Sequence, residues 1–94
     1  MNWYSQLTHL IMDFYREDPT ELGALQPLQA CKLSRRWGVL RVECPDRQTA
    51  DRLAQVGDLL REPVAEMRLS QYINILVRGT LVASLPVHVP KLKT

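Results

Sequence analysis

At 94 residues the chain has room for one domain and one hydrophobic core, which leaves little volume for a deep enclosed active site. A hydrophobic share of 46% and a charged share of 23% exclude wholesale disorder, and a formal net charge of +2 is too small to attract nucleic acid at long range. An anionic partner must be met by a local patch; with no stretch of about 18 apolar residues and no basic, cleavable leader, a cytoplasmic setting with no membrane contact is expected.

Trp3, Leu7, Leu10, Ile11 and Phe14 fall on one stripe of a helix expected over residues 2–17, with Asp18-Pro19 ending it because the residue before proline is pushed out of helical geometry. The stretch 20–27 carries Gly23, Pro27 and scattered leucines and reads as a loop or single helical turn. Residues 28–33 and 39–44 then form two arms of a hairpin. If Trp37-Gly38 is its two-residue turn, residues whose numbers sum to 75 face each other. That register puts Cys31 opposite Cys44 and Leu33 opposite Val42 on the inner face, with Lys32 opposite Glu43 on the outer one.

Pro45 closes the second arm and Asp46 is suited to cap a helix. That helix is expected over residues 46–62, with Ala50, Leu53, Ala54, Gly57 and Leu60 inward and Pro63 as its stop. Gly57 reads as a packing residue, since glycine costs roughly 1 kcal/mol in helix propensity. Alternation in Ala65, Met67 and Leu69 against Glu66 and Arg68 predicts a third strand. The runs 72–77 and 80–85, separated by Arg78-Gly79, either extend that strand or form a C-terminal hairpin. The chain therefore reads as one α+β domain over residues 1–85 and an extended, mobile tail over 86–94.

No catalytic constellation emerges, and a non-enzymatic protein is expected. His9 lies on the polar side of the first helix and His88 in the tail, neither placed near a nucleophile. Cys31 and Cys44 lack histidines at ligand spacing and read as two reduced thiols, so neither a metal nor another cofactor is expected. Gly23, Gly38, Gly57 and Gly79 are isolated and form no phosphate-binding loop.

The basic residues carry more. Arg35, Arg36 and Trp37 form the hairpin tip, Lys32 and Arg41 flank it, and Arg47 opens the next helix. Guanidinium groups can grip phosphates while the indole stacks on an unpaired base. The alternative is a solubilising turn whose tryptophan folds back on the core, and the sequence leaves both open. Tyr4, Met12 and Tyr15 lie off the main stripe of the first helix and give it a second oily side, suited either to a protein contact or homodimer or to covering the loop over residues 20–27.

The run Ala30-Cys31-Lys32-Leu33, the turn to Gly38, Val39-Leu40-Arg41-Val42, Ala50-Asp51-Arg52-Leu53, Leu59-Leu60 and Met67-Arg68-Leu69 resembles the KH-like domain of the DciA group of bacterial replicative-helicase operators. The layout is also similar to the N-terminal domain of the initiator DnaA, which opens with a tryptophan-bearing helix. The DciA group carries a tryptophan near the start of its second helix, where this chain has Thr49-Ala50. The resemblance implies a KH-like two-layer sandwich in the order α-β-β-α-β, with a C-terminal strand as a possible addition. It also implies a DNA-replication accessory factor contacting the replicative helicase, single-stranded DNA or both. A protein-only adaptor or homodimeric subunit of a larger complex is the alternative expectation.

Overall fold

The computed structural model describes the backbone of residues 3–88 and the side chains of residues 6–88. Among the described residues, four helices (α1 Trp3–Asp13, α2 Pro19–Ala24, α3 Arg47–Gln55, α4 Gly57–Glu66), a 3₁₀ helix (Gln26–Ala30) and four strands (β1 Lys32–Arg36, β2 Val39–Cys44, β3 Tyr72–Val77, β4 Thr80–Pro86) form a small α+β domain. The strands make one mixed sheet in the order β1-β2-β3-β4, antiparallel at β1/β2 and β3/β4 and parallel at β2/β3. A parallel pair needs a crossover, and α3 with α4 supplies it.

Both hairpins close on the same turn. Trp37-Gly38 and Arg78-Gly79 have positive φ at both positions (54° and 75°, 52° and 80°), the geometry that matches the right-handed twist of the flanking strands. The register of β1 on β2 runs from Lys32 opposite Glu43 to Arg36 opposite Val39, so every pair sums to 75 as expected. Cys31 and Cys44 meet with their sulfurs 3.4 Å apart as buried free thiols, and burial pushes both thiols above the ordinary cysteine range.

One face of the sheet is covered. Leu33, Leu40, Val42, Ile73 and Ile75 are buried in a single cluster with Leu7, Ile11, Leu28, Leu53, Leu60 and Val64 from the helical layer. Among the described residues the opposite face carries no helix. The register arranges its side chains in three rows across the sheet: Arg36, Val39, Tyr72 and Pro86; then Ser34, Arg41, Asn74 and Ser84; then Lys32, Glu43, Leu76 and Leu81. Leu76 is buried yet stands outside the core cluster, as expected of a side chain on this other face.

Several sequence expectations are corrected. The first helix stops at Asp13, not 17, and two tight turns (Arg16 N–H to Asp13 O, Asp18 N–H to Tyr15 O) wind the chain down to Pro19. Residues 28–30 belong to the 3₁₀ helix, so the first strand begins only at Lys32. The expected single helix over 46–62 is two, broken at Val56. Asp46 caps the first of them as expected: its side chain accepts from Thr49 N–H at 2.8 Å, which holds its carboxyl below the usual range. The break seats Gly57 against β4, where a Cβ would lie 3.0 Å from Leu85 Cδ1, the close packing expected of this glycine.

Pro63 does not stop α4, which continues to Glu66. The third strand expected over residues 65–69 is instead the end of that helix and its exit. Leu69 N–H reaches back to Val64 O at 2.9 Å and Arg68 stands at φ 53°, a Schellman-type closure. The third strand is β3, and the runs 72–77 and 80–85 are two strands forming a hairpin. Pro86 belongs to β4, and Val87 is buried with its N–H on Gln71 O, so the folded unit runs past the expected boundary at 85. Residues 89–94 of the expected tail lie outside the described residues.

Candidate nucleic-acid interface

The β1–β2 turn projects into solvent. Trp37 is 89% exposed, which settles the choice between an outward and an inward indole. A tryptophan at positive φ is a costly choice for a two-residue turn, where asparagine or glycine fits without strain. Since its ring buries almost nothing, packing does not offset that strain. Arg68 and Arg78 stand at the same positive φ, so what sets Trp37 apart is its bare indole.

The basic residues expected around it divide into three groups. Arg36 sits on the open face in the row nearest the turn and makes none of the ion pairs among the described residues. Arg41 lies one row further on that face, 3.8 Å from Glu43 Oε1. Arg35 points the other way, and its Nη1 donates to the Leu69 carbonyl oxygen at 3.2 Å, tying the hairpin to the exit of α4. Its exposed guanidinium stays beside the turn.

Lys32 shares the open face but stands at the far end of β1, roughly 13 Å from Arg36 at about 3.3 Å per residue. Its expected pairing with Glu43 is a register contact only. Glu43 Oε2 accepts from Gly79 N–H at 2.7 Å, leaving Lys32 exposed. Arg47 is not part of the patch. It follows the end of β2 remote from the turn and pairs with Asp51 at 3.0 Å.

Sequence reasoning missed Tyr72. The carbonyl of Gly38 accepts from both Gln71 N–H (2.7 Å) and Tyr72 N–H (3.2 Å), fastening the start of β3 to the tryptophan turn. Tyr72 lies beside Val39 on the open face and is 49% exposed. The alternation of Tyr72, Asn74 and Leu76 against Ile73, Ile75 and Val77 held the signal, but only knowledge that β3 lies parallel to β2 brings it to the turn.

The partner surface expected on the first helix is not where the sequence put it. Met12 and Tyr15 are buried, and the Tyr15 hydroxyl donates to the Leu59 carbonyl oxygen at 3.0 Å; Tyr4 lies outside the described side chains. Among the described residues, the large apolar side chains exposed in that region are Leu10 and Phe14, which border a shallow surface hollow with Met67. Because α1 ends at Asp13, the turn that follows swings Tyr15 into the core and leaves Phe14 outside.

Among the described residues no group of three or more His, Cys, Asp or Glu is placed to hold a metal, and no helix is long and apolar enough to cross a membrane. No family model, curated protein or solved structure matches the chain.

Proposed function

We propose that this chain is a non-enzymatic binding module of DNA replication that takes single-stranded DNA at the Trp37 turn and contacts the replicative helicase. The observation that carries the DNA half is Trp37 itself, a solvent-facing indole on a strained turn with Arg35 and Arg36 immediately before it. Stacking on an exposed aromatic is indifferent to base identity, and arginines beside it neutralise phosphates.

What supports the KH-like part of the reading is the order helix, hairpin, helical crossover and a strand parallel to β2. Of the residues quoted for the resemblance, Leu40 and Val42 are buried on β2, Ala50 and Leu53 on α3 and Leu60 on α4, so they serve as core positions here. The Met67-Arg68-Leu69 segment departs from it, since the strand comes later, at Tyr72–Val77. The helicase half rests on that resemblance, and fold analogy carries less weight than a site.

A salt titration of binding to a single-stranded oligodeoxythymidylate tests the DNA half. Binding at low salt, weakened by Trp37→Ala and with a salt slope reduced by roughly one per lost phosphate contact in Arg36→Ala, is the expected result. No binding at low salt, or variants that bind like the parent, would remove it.

A second reading, a protein contact or homodimer, is favoured by Leu10 and Phe14, which are 45% and 40% exposed beside Met67. Sedimentation over a concentration range tests the homodimer, and a strict monomer at high concentration argues against it.

A further inference from the structure

The open face of the sheet continues the surface that begins at the turn. We infer that Tyr72 is a second stacking platform, so that the ligand is a single strand with neighbouring bases on Trp37 and Tyr72 and its phosphates along Arg36 and Arg41. The inference rests on the turn being a nucleic-acid contact and extends it onto the sheet.

Three observations carry it. First, Tyr72 is held relative to the turn by its own backbone, because its N–H donates to the carbonyl of Gly38, the residue after Trp37. Its ring is half-exposed on a face that none of the described helices covers, and only Val39 separates it from Arg36 in the same row. Two aromatic surfaces are thus joined through one residue of turn, with an apolar floor between Tyr72 and the nearest guanidinium.

Second, the face is cationic. Among the described residues, Lys32, Arg36 and Arg41 stand on it against one carboxylate, Glu43, and that carboxylate is engaged by Gly79 N–H and by Arg41. Such a face complements a phosphate backbone. Third, the row behind Tyr72 offers directed polar groups. The Ser84 hydroxyl donates to Asn74 Oδ1 at 2.8 Å, a bond that leaves the two side-chain N–H donors of Asn74 unused. A base carbonyl or ring nitrogen is the matching acceptor. A duplex keeps its base faces stacked on one another, which is why the ligand is single-stranded.

The test is fluorescence anisotropy of a labelled oligodeoxythymidylate with the full chain at low salt. Tyr72→Ala is expected to weaken binding roughly 5- to 100-fold, and Tyr72→Phe, which keeps the ring, to bind like the parent. Tyr72→Leu keeps bulk on the sheet and loses the π face, so it is expected to weaken binding as alanine does, and it serves if the alanine variant fails to fold. Arg47→Ala, at the other end of the sheet, is expected to stay within about twofold of the parent. Parent-like binding by Tyr72→Leu, with Trp37→Ala still weakened, overturns this inference and leaves the turn reading standing. Equal losses in Tyr72→Phe and Tyr72→Leu also overturn it, since the hydroxyl and not the ring would then be the contact. Absence of binding by the parent overturns both readings, as does a parent that binds a protein partner through this face in place of DNA.

Discussion

The Tyr15 hydroxyl donates to the Leu59 carbonyl oxygen at 3.0 Å, and Leu59 is the residue whose carbonyl Pro63, four positions on, has no N–H to reach. A side chain from just past α1 thus supplies the donor that the proline removes from α4, and in doing so it docks the first helix on the fourth. Tyr15→Phe keeps the ring and deletes the donor, so it should cost about 1 kcal/mol of unfolding free energy. Pro63→Ala restores a backbone N–H. In that background the tyrosine change should cost distinctly less, a coupling that a double-mutant cycle in urea reads directly.

The same hydroxyl sets a pH dependence through its burial and the carboxylates around it. Burial, followed by Glu62, Glu21, Asp18 and Asp58, pushes the Tyr15 hydroxyl up to about 12 from 10.0. A group that holds its proton more tightly when folded stabilises fully below the unfolded value and loses that contribution as pH rises through the folded one. Stability should therefore fall between about pH 10 and 12, and Tyr15→Phe should flatten that part of the curve. Thermal unfolding of both proteins over that range measures the difference.

Trp37 should be costly for folding. At φ 54° with its ring in solvent it strains the turn and contributes almost no burial, whereas asparagine accepts that geometry. Trp37→Asn should raise stability on the order of 1 kcal/mol while removing the stacking surface. A rise in melting temperature together with weaker oligonucleotide binding is the expected pair of results.

Gly57 should resist enlargement. A Cβ added at this position would stand only 3.0 Å from Leu85 Cδ1, so a branched side chain there meets β4 directly. Gly57→Val should cost roughly 1–3 kcal/mol, and Leu85→Ala in the same chain should recover part of it. Urea midpoints of the single and double variants check this.

The parts of the fold legible in the sequence were those written in local chemistry. The hairpin register follows from a two-residue turn at Trp37-Gly38, and it brought Cys31 to Cys44 and Leu33 to Val42 without any knowledge of the rest of the fold. The helix cap at Asp46 and the tight seat of Gly57 were legible for the same reason. What misled were places where a distant group alters a local rule. Pro63 reads as a stop unless Tyr15 is known to serve the carbonyl it abandons. Residues 65–69 alternate like a strand because α4 closes on Arg68 at positive φ where a glycine would have announced the end.

The candidate site was half legible. Arg35, Arg36 and Trp37 sit together because they are adjacent in sequence, and Arg41 follows from the hairpin register. Arg47 is near the patch in sequence alone, since β2 carries it to the far end of the sheet. Tyr72 was missed because its place beside Val39 depends on a parallel pairing across the α3–α4 crossover, which no local pattern encodes.

Nuclear magnetic resonance of the ¹⁵N-labelled chain titrated with a single-stranded oligodeoxythymidylate tests the central claim most directly. The account predicts shifts concentrated at the Trp37 indole, the backbone of Arg36 to Leu40 and the start of β3 from Tyr72 to Asn74, with α3 and Arg47 silent. Shifts confined to the surface of Leu10, Phe14 and Met67, or no shifts at low salt, would contradict it.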